Sequence, residues 1–107
     1  MEVFKLETMF KGWFIGDFEP TIFKTQDVEV GVKYYIEGDY EPSHFHKIAT
    51  EFTVILEGKV EMNGNVYESG SILKILPYES TDFKALTNVK TVVVKIPGAL
   101  NDKYSII

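Results

Sequence analysis

The chain has 107 residues, 45% of them apolar and 14% aromatic, and a net charge of −5. This is the length of a single domain with the material for a core, and its acidic balance with scattered lysines argues against nucleic acid as a partner. The lack of cysteine excludes disulfides and thiolate metal sites, and the lack of any run of about 18 apolar residues argues against a membrane span.

The opening MEVFKLETMFKGWF carries acids near its start and no long apolar stretch, so it does not read as a signal peptide. A cytoplasmic setting is expected. Residues 1–27 form an N-terminal segment with little periodicity, and its best helical stretch, near residues 4–14, is interrupted by Gly12. Phe10, Trp13, Phe14, Ile15, Phe18 and Phe23 are more apolar residues than a free loop carries. They are expected to be buried, either on the domain's own core or across a subunit interface.

From residue 28 the period is two. Val28, Val30, Val32, Tyr34 and Ile36 alternate with Glu29, Gly31, Lys33 and Tyr35, which predicts a strand. A turn follows at Gly38, Asp39 and Pro42. His44, His46 and Ile48 then share a parity and, in an extended strand, a face. Phe52 to Leu56 is the next apolar strand, ended by Gly58. Val60 and Met62 lead into Asn63-Gly64, a hairpin signal, and Val66 and Tyr67 return. Ile72 to Leu76 is stopped by Pro77, and Phe83 to Leu86 and Thr91 to Ile96 complete the series. About eight short strands between turn signals, with no convincing helix, predict an all-β sandwich or barrel over residues 28–98. Residues 99–107 read as an irregular arm.

The stretch from Gly38 to Gly58 holds both histidines. His-x-His sets two imidazoles on one face of a strand, about 6.5–7 Å apart along it, so both can reach one ion. Glu51 is out of phase with them and joins only if a turn or bulge near Ala49-Thr50 resets the register. Imidazole nitrogen and carboxylate oxygen together suit a borderline divalent transition metal, Mn, Fe, Zn or Ni.

Gly38, His44, His46, Glu51 and Gly58, at these spacings, resemble the complete first motif of the cupin superfamily. A second cupin motif would begin at Gly70. Aligned on Pro77, it has Glu79 in its glycine slot, Asp82 in its histidine slot and Leu86 in its asparagine slot, so it is degenerate. The resemblance spans roughly residues 28–96. It implies a single-domain antiparallel β-barrel, or jelly roll, with a metal inside held by His44, His46, Glu51 and, through a carboxylate in place of histidine, Asp82. It also implies a homodimer formed through edge strands and exchanged N-terminal segments.

The expected function is that of a metal-dependent enzyme acting on a small polar molecule, such as a sugar-like one, in the barrel. The alternatives are a non-catalytic binding or sensing module and a structural barrel that has lost its chemistry. Lys74 and Lys84 are candidates to meet an anionic ligand, with solvent exposure the simpler expectation.

Overall fold

In the computed structural model, which describes residues 1–106, the chain folds into ten strands and one 3-10 turn, Leu6–Thr8. The strands are β1 (Trp13–Ile15), β2 (Glu29–Tyr35), β3 (Tyr40–Phe45), β4 (Thr50–Glu57), β5 (Lys59–Met62), β6 (Asn65–Glu68), β7 (Ile72–Ile75), β8 (Thr81–Ala85), β9 (Val89–Ile96) and β10 (Tyr104–Ser105). They form two five-stranded antiparallel sheets, β1-β2-β9-β4-β7 and β10-β3-β8-β5-β6. The fold is all-β, a jelly roll, as the turn spacing predicts. Among the described residues no helix is long and apolar enough to cross a membrane.

Local chemistry sets the turns. Asn63 and Gly64 both take positive φ, 50° and 81°, the geometry a two-residue hairpin needs to match strand twist. Val60↔Tyr67 and Met62↔Asn65 pair across it. Gly58 also takes a positive φ, and a Cβ there would lie 2.2 Å from the Asn88 carbonyl oxygen, so the end of β4 admits only glycine.

The apolar core fills one part of the space between the sheets. Ile55, Val60, Met62, Phe83, Ala85 and Val89 are buried together, with Tyr35, Tyr67, Leu73 and Ile75 packed against them. The Tyr35 and Phe83 rings lie 4.4 Å apart, centroid to centroid.

The register of β2 is the unexpected feature. Glu29 and Gly31 are buried, and Lys33 and Tyr35 line the interior. The apolar set of the same strand lies on the outer face, where Tyr34 is 63% exposed. Val30 and Val32 pair with Val94 and Val92 of β9, which pair in turn with Phe52 and Val54 of β4. The outside of this sheet is therefore apolar and part of its inside is polar.

Both ends of the chain depart from expectation. The N-terminal segment adds β1 to the edge of β2 and half-buries Trp13, Phe14, Ile15 and Phe18. Phe10 and Phe23, expected to be buried, are 64% and 65% exposed: both make backbone bridges, to Trp13 and Ile15, at the edge of the sheet, and these fix the backbone without covering the rings. The C-terminal arm is not irregular throughout: β10 pairs with His44 and Phe45 of β3, and Tyr104 stacks on Phe45 at 5.5 Å. Ile107, the last residue of the expected arm, lies outside the described residues.

Candidate functional site

The space beside the core is a cavity of about 340 Å³ bordered by polar residues from both sheets. His44, His46, Glu51 and Asp82 all border it, with Thr53, Thr81 and Thr91.

A bulge delivers the first histidine. Glu41 pairs with Phe83 and His44 with Thr81, so β3 advances three residues while β8 advances two. The extra residue, at Pro42-Ser43, puts Glu41 and His44 opposite the two buried side chains of β8. Asp82 lies between those two, out of phase with them. Its Oδ1 accepts the Asn63 N–H at 2.7 Å, and its own N–H donates to Asn63 Oδ1 at 3.3 Å. Asp82 thus borders the cavity with its carboxylate engaged by the β5–β6 hairpin, and Thr81 is the residue of β8 set across from His44.

His46 follows the end of β3. The chain then bends at Lys47-Ile48, not at Ala49-Thr50, and Ile48 leaves the histidine face to become 57% exposed. The bend has a specific cause. Asp102, 4% exposed, accepts the N–H groups of Lys47 at 2.9 Å, Ile48 at 3.0 Å and Ala49 at 2.9 Å. Those three N–H bonds hold its carboxyl below its ordinary pKa, against the opposing effect of burial. The bend resets the register, so that Glu51, Thr53 and Ile55 face inward on β4.

The donors are oriented. His44 Nδ1 lies 3.2 Å from the Pro42 carbonyl oxygen, which can only accept, so that a proton on Nδ1 donates to it. His46 is 4% exposed, and its Nε2 is buried without a hydrogen-bond partner. Burial, then Lys95 and His44, push the His46 pKa down to about 4, so its imidazole is neutral at pH 7. The two rings lie 5.5 Å apart at 87°. Thr53 donates its hydroxyl to Glu51 Oε2 at 3.2 Å.

The donor chemistry at the histidines fits a borderline divalent ion: two imidazoles on one cavity, one of them with an unpartnered buried nitrogen. The carboxylate does not yet meet them, since among the described residues no three His, Asp or Glu side chains converge as an ion-holding group.

Sequence reasoning missed two parts of the site. One is Asp102, for which an acid in an irregular tail gives no signal. The other is the wall of the cavity mouth. The Trp13 indole lies over Gly31, where a Cβ would come within 2.7 Å of the ring. The Lys33 and Lys95 ammonium groups approach the same indole at 5.4 and 5.1 Å. Lys74 and Lys84 are exposed and do not border the cavity, in line with the simpler expectation.

No protein-family model matches the sequence, and no curated protein matches it. Solved structures do. An uncharacterized conserved protein with a double-stranded β-helix domain from Klebsiella pneumoniae is 23% identical, over 72% of this chain and 69% of that one, with a TM-score of 0.65. An RmlC-like cupin from Shewanella frigidimarina is 17% identical over 73% and 72%, with a TM-score of 0.65. The DMSP lyase DddQ from Ruegeria pomeroyi is 23% identical over 83% of this chain and 46% of that one, also at 0.65. With a jelly roll of two five-stranded sheets enclosing a polar cavity, the chain has the fold of the cupin superfamily.

Proposed function

We propose that this protein is a metal-dependent enzyme acting on a small polar molecule held in the barrel, in a cytoplasmic setting. One divalent transition metal, Mn, Fe, Zn or Ni, is held by His44, His46 and Glu51. The observation that carries this reading is the His46 imidazole, neutral and buried, with an Nε2 that has no partner in the protein. A buried nitrogen left without a partner costs about 1–3 kcal/mol, and an ion would remove that cost. When bound, such an ion supplies Lewis acidity toward a carbonyl or hydroxyl oxygen. The protein's own groups do the rest: the Pro42 carbonyl orients the His44 ring and Thr53 steadies Glu51. Asp82 would join the set only by releasing Asn63. Cupin-fold neighbours that are enzymes, DMSP lyase DddQ among them, make a catalytic role reasonable for the fold without selecting a reaction.

Metal content after expression in supplemented medium tests the reading. About one ion per chain is expected, and a His44→Ala/His46→Ala variant should carry none; equal trace metal in both would sink it. A second reading, a metal-free binding module, is favoured by the failure of three ligands to converge. Ligand binding in a protein that never takes up metal would establish it instead.

The protein is also proposed to be a homodimer. β4 and β9 carry apolar residues on both faces, with Phe52, Val54, Val92 and Val94 on the outer one, and Ile72, Leu76 and Ile96 beside them are 70%, 47% and 50% exposed. A second copy laid on this outer face would cover them.

A further inference from the structure

The cavity carries an electrostatic feature that metal binding does not use. Lys11, Lys33, Lys95 and Lys103 all border it. The chain contains eleven lysines and no arginine against sixteen acids; four of the eleven border this cavity beside three carboxylates, Glu41, Glu51 and Asp82, a local excess of positive charge on an otherwise acidic protein. Among the described residues the ion pairs are Lys24 with Glu19 and Lys90 with Glu57; none of the four cavity lysines is in one.

Two of the four, Lys33 and Lys95, are held against the wall of the cavity. Lys33 Nζ donates to the Lys11 carbonyl oxygen at 2.8 Å and lies against Trp13 with Lys95. The backbone of Lys103 is placed by its neighbours, since Asp102 caps the bend at residues 47–49 and Tyr104 belongs to β10, while its side chain is exposed. Burial, then Lys11, Lys95 and Lys103, lower the Lys33 pKa against the opposing pull of Glu41. Lys33 therefore lies partly desolvated among three further ammonium groups, and an anion entering the space would offset their repulsion of it.

We propose that the cavity mouth binds a small organic anion, whose carboxylate or phosphate ester sits among Lys11, Lys33, Lys95 and Lys103 and whose carbon skeleton lies along the Trp13 indole toward the two histidines. The proposal rests on the cavity being a ligand site, and it names the class of ligand. Lysine is a rotatable point charge, without the planar fork that arginine offers to one anion geometry, so the cradle selects by charge and size. A neutral sugar leaves the four ammonium groups unpaired.

Trp13 is the only tryptophan in the chain, so its fluorescence reports the cradle directly. Succinate, glycerol 3-phosphate and glucose are titrated into chelator-treated protein, so that metal plays no part. Saturable change with succinate or with glycerol 3-phosphate is expected, and which of them binds more tightly tells carboxylate from phosphate ester. The binding weakens with added salt and falls roughly tenfold for each lysine removed in Lys95→Gln and Lys103→Gln. Lys74→Gln and Lys84→Gln, on exposed positions, leave it unchanged. Glucose binding as tight as the anions, anion binding indifferent to Lys95→Gln and Lys103→Gln, or no anion binding tighter than about 10 mM overturns the proposal. Metal content is measured on the same variants. Metal loss with His44→Ala/His46→Ala alone leaves the two results independent, so a protein that takes the anion and no metal loses only the metal-enzyme reading.

Discussion

The bend between His46 and Glu51 depends on one side chain distant in sequence, and Asp102→Ala tests that dependence. The carboxylate accepts three backbone N–H groups, and hydrogen bonds to a charged group contribute about 1.5–3 kcal/mol each. They will not all be lost in full. Lys47 and Ile48 are exposed, so water replaces the carboxylate at their N–H groups. Ala49 is 1% exposed, and leaving its N–H unpaired costs about 1–3 kcal/mol. Asp102→Ala is therefore expected to lose about 3 kcal/mol, a large part of the roughly 5–15 kcal/mol that holds a domain folded. Asp102→Asn keeps one acceptor oxygen and should lose about half as much. The pH dependence has a definite sign. The folded-state pKa lies below the ordinary 3.8, so this stabilisation is present above pH 3.8 and is lost as pH falls through the folded value. Urea unfolding of the three proteins, near neutral pH and again near pH 3, reads both effects, and the gap between wild type and variants should narrow in acid. A loss below about 0.5 kcal/mol for Asp102→Ala, within the range of an ordinary surface substitution, would show that the bend holds without the carboxylate.

Asp82→Ala should cost about 1–2 kcal/mol through the hairpin and leave metal affinity unchanged in calorimetric titration; a fall as large as that of His44→Ala would make Asp82 a ligand. In metal-free protein His46 should titrate near pH 4 by NMR of its ring protons. Because its folded pKa is depressed below 6.5, the unfolded chain takes up the proton first, and stability should decline as pH drops from 6.5 toward 4; titration near 6.5 would mean that the ring is solvated. Light scattering should give twice the 12.2 kDa chain mass, and Val54→Lys on the outer sheet face should yield a folded monomer, whereas a wild-type monomer would remove the dimer.

The histidines were legible because a motif of fixed spacings depends on local geometry: a strand, a bend and a second strand. Glu51 was legible for the same reason, although the position of the bend was not, since Asp102 reaches it from 53 residues away. For Asp82, alignment on Pro77 places the acid at the cavity but cannot show the parity of β8. The bulge at Pro42-Ser43 pairs His44 with Thr81 and leaves the acid to Asn63. The period of β2 was legible and the face it buries was not. Alternation defines two faces, and the choice between them rests on what else the fold must enclose. Here Lys33 and Tyr35 point inward because a polar cavity occupies that end of the barrel.

That choice connects the site to the rest of the molecule. A barrel that keeps part of its interior for polar side chains has less room for an apolar core, and its described core is confined to the part around Ile55, Val60 and Phe83. Small domains bury a limited share of their surface in any case. Val30 and Val32 of β2, Val92 and Val94 of β9 and Phe52 and Val54 of β4 are placed on the outer face, where a covering partner would add to what they contribute. The polar interior and the apolar exterior of the same sheet are thus two consequences of one register. A substitution that made the outer face polar would weaken assembly without entering the cavity. One that made the cavity apolar, such as Lys33→Leu with Thr91→Val, would add core and raise stability while removing ligand binding. If the double substitution instead lowered stability, the cavity polar groups would be part of what holds the fold together, and the separation of the two roles would not stand.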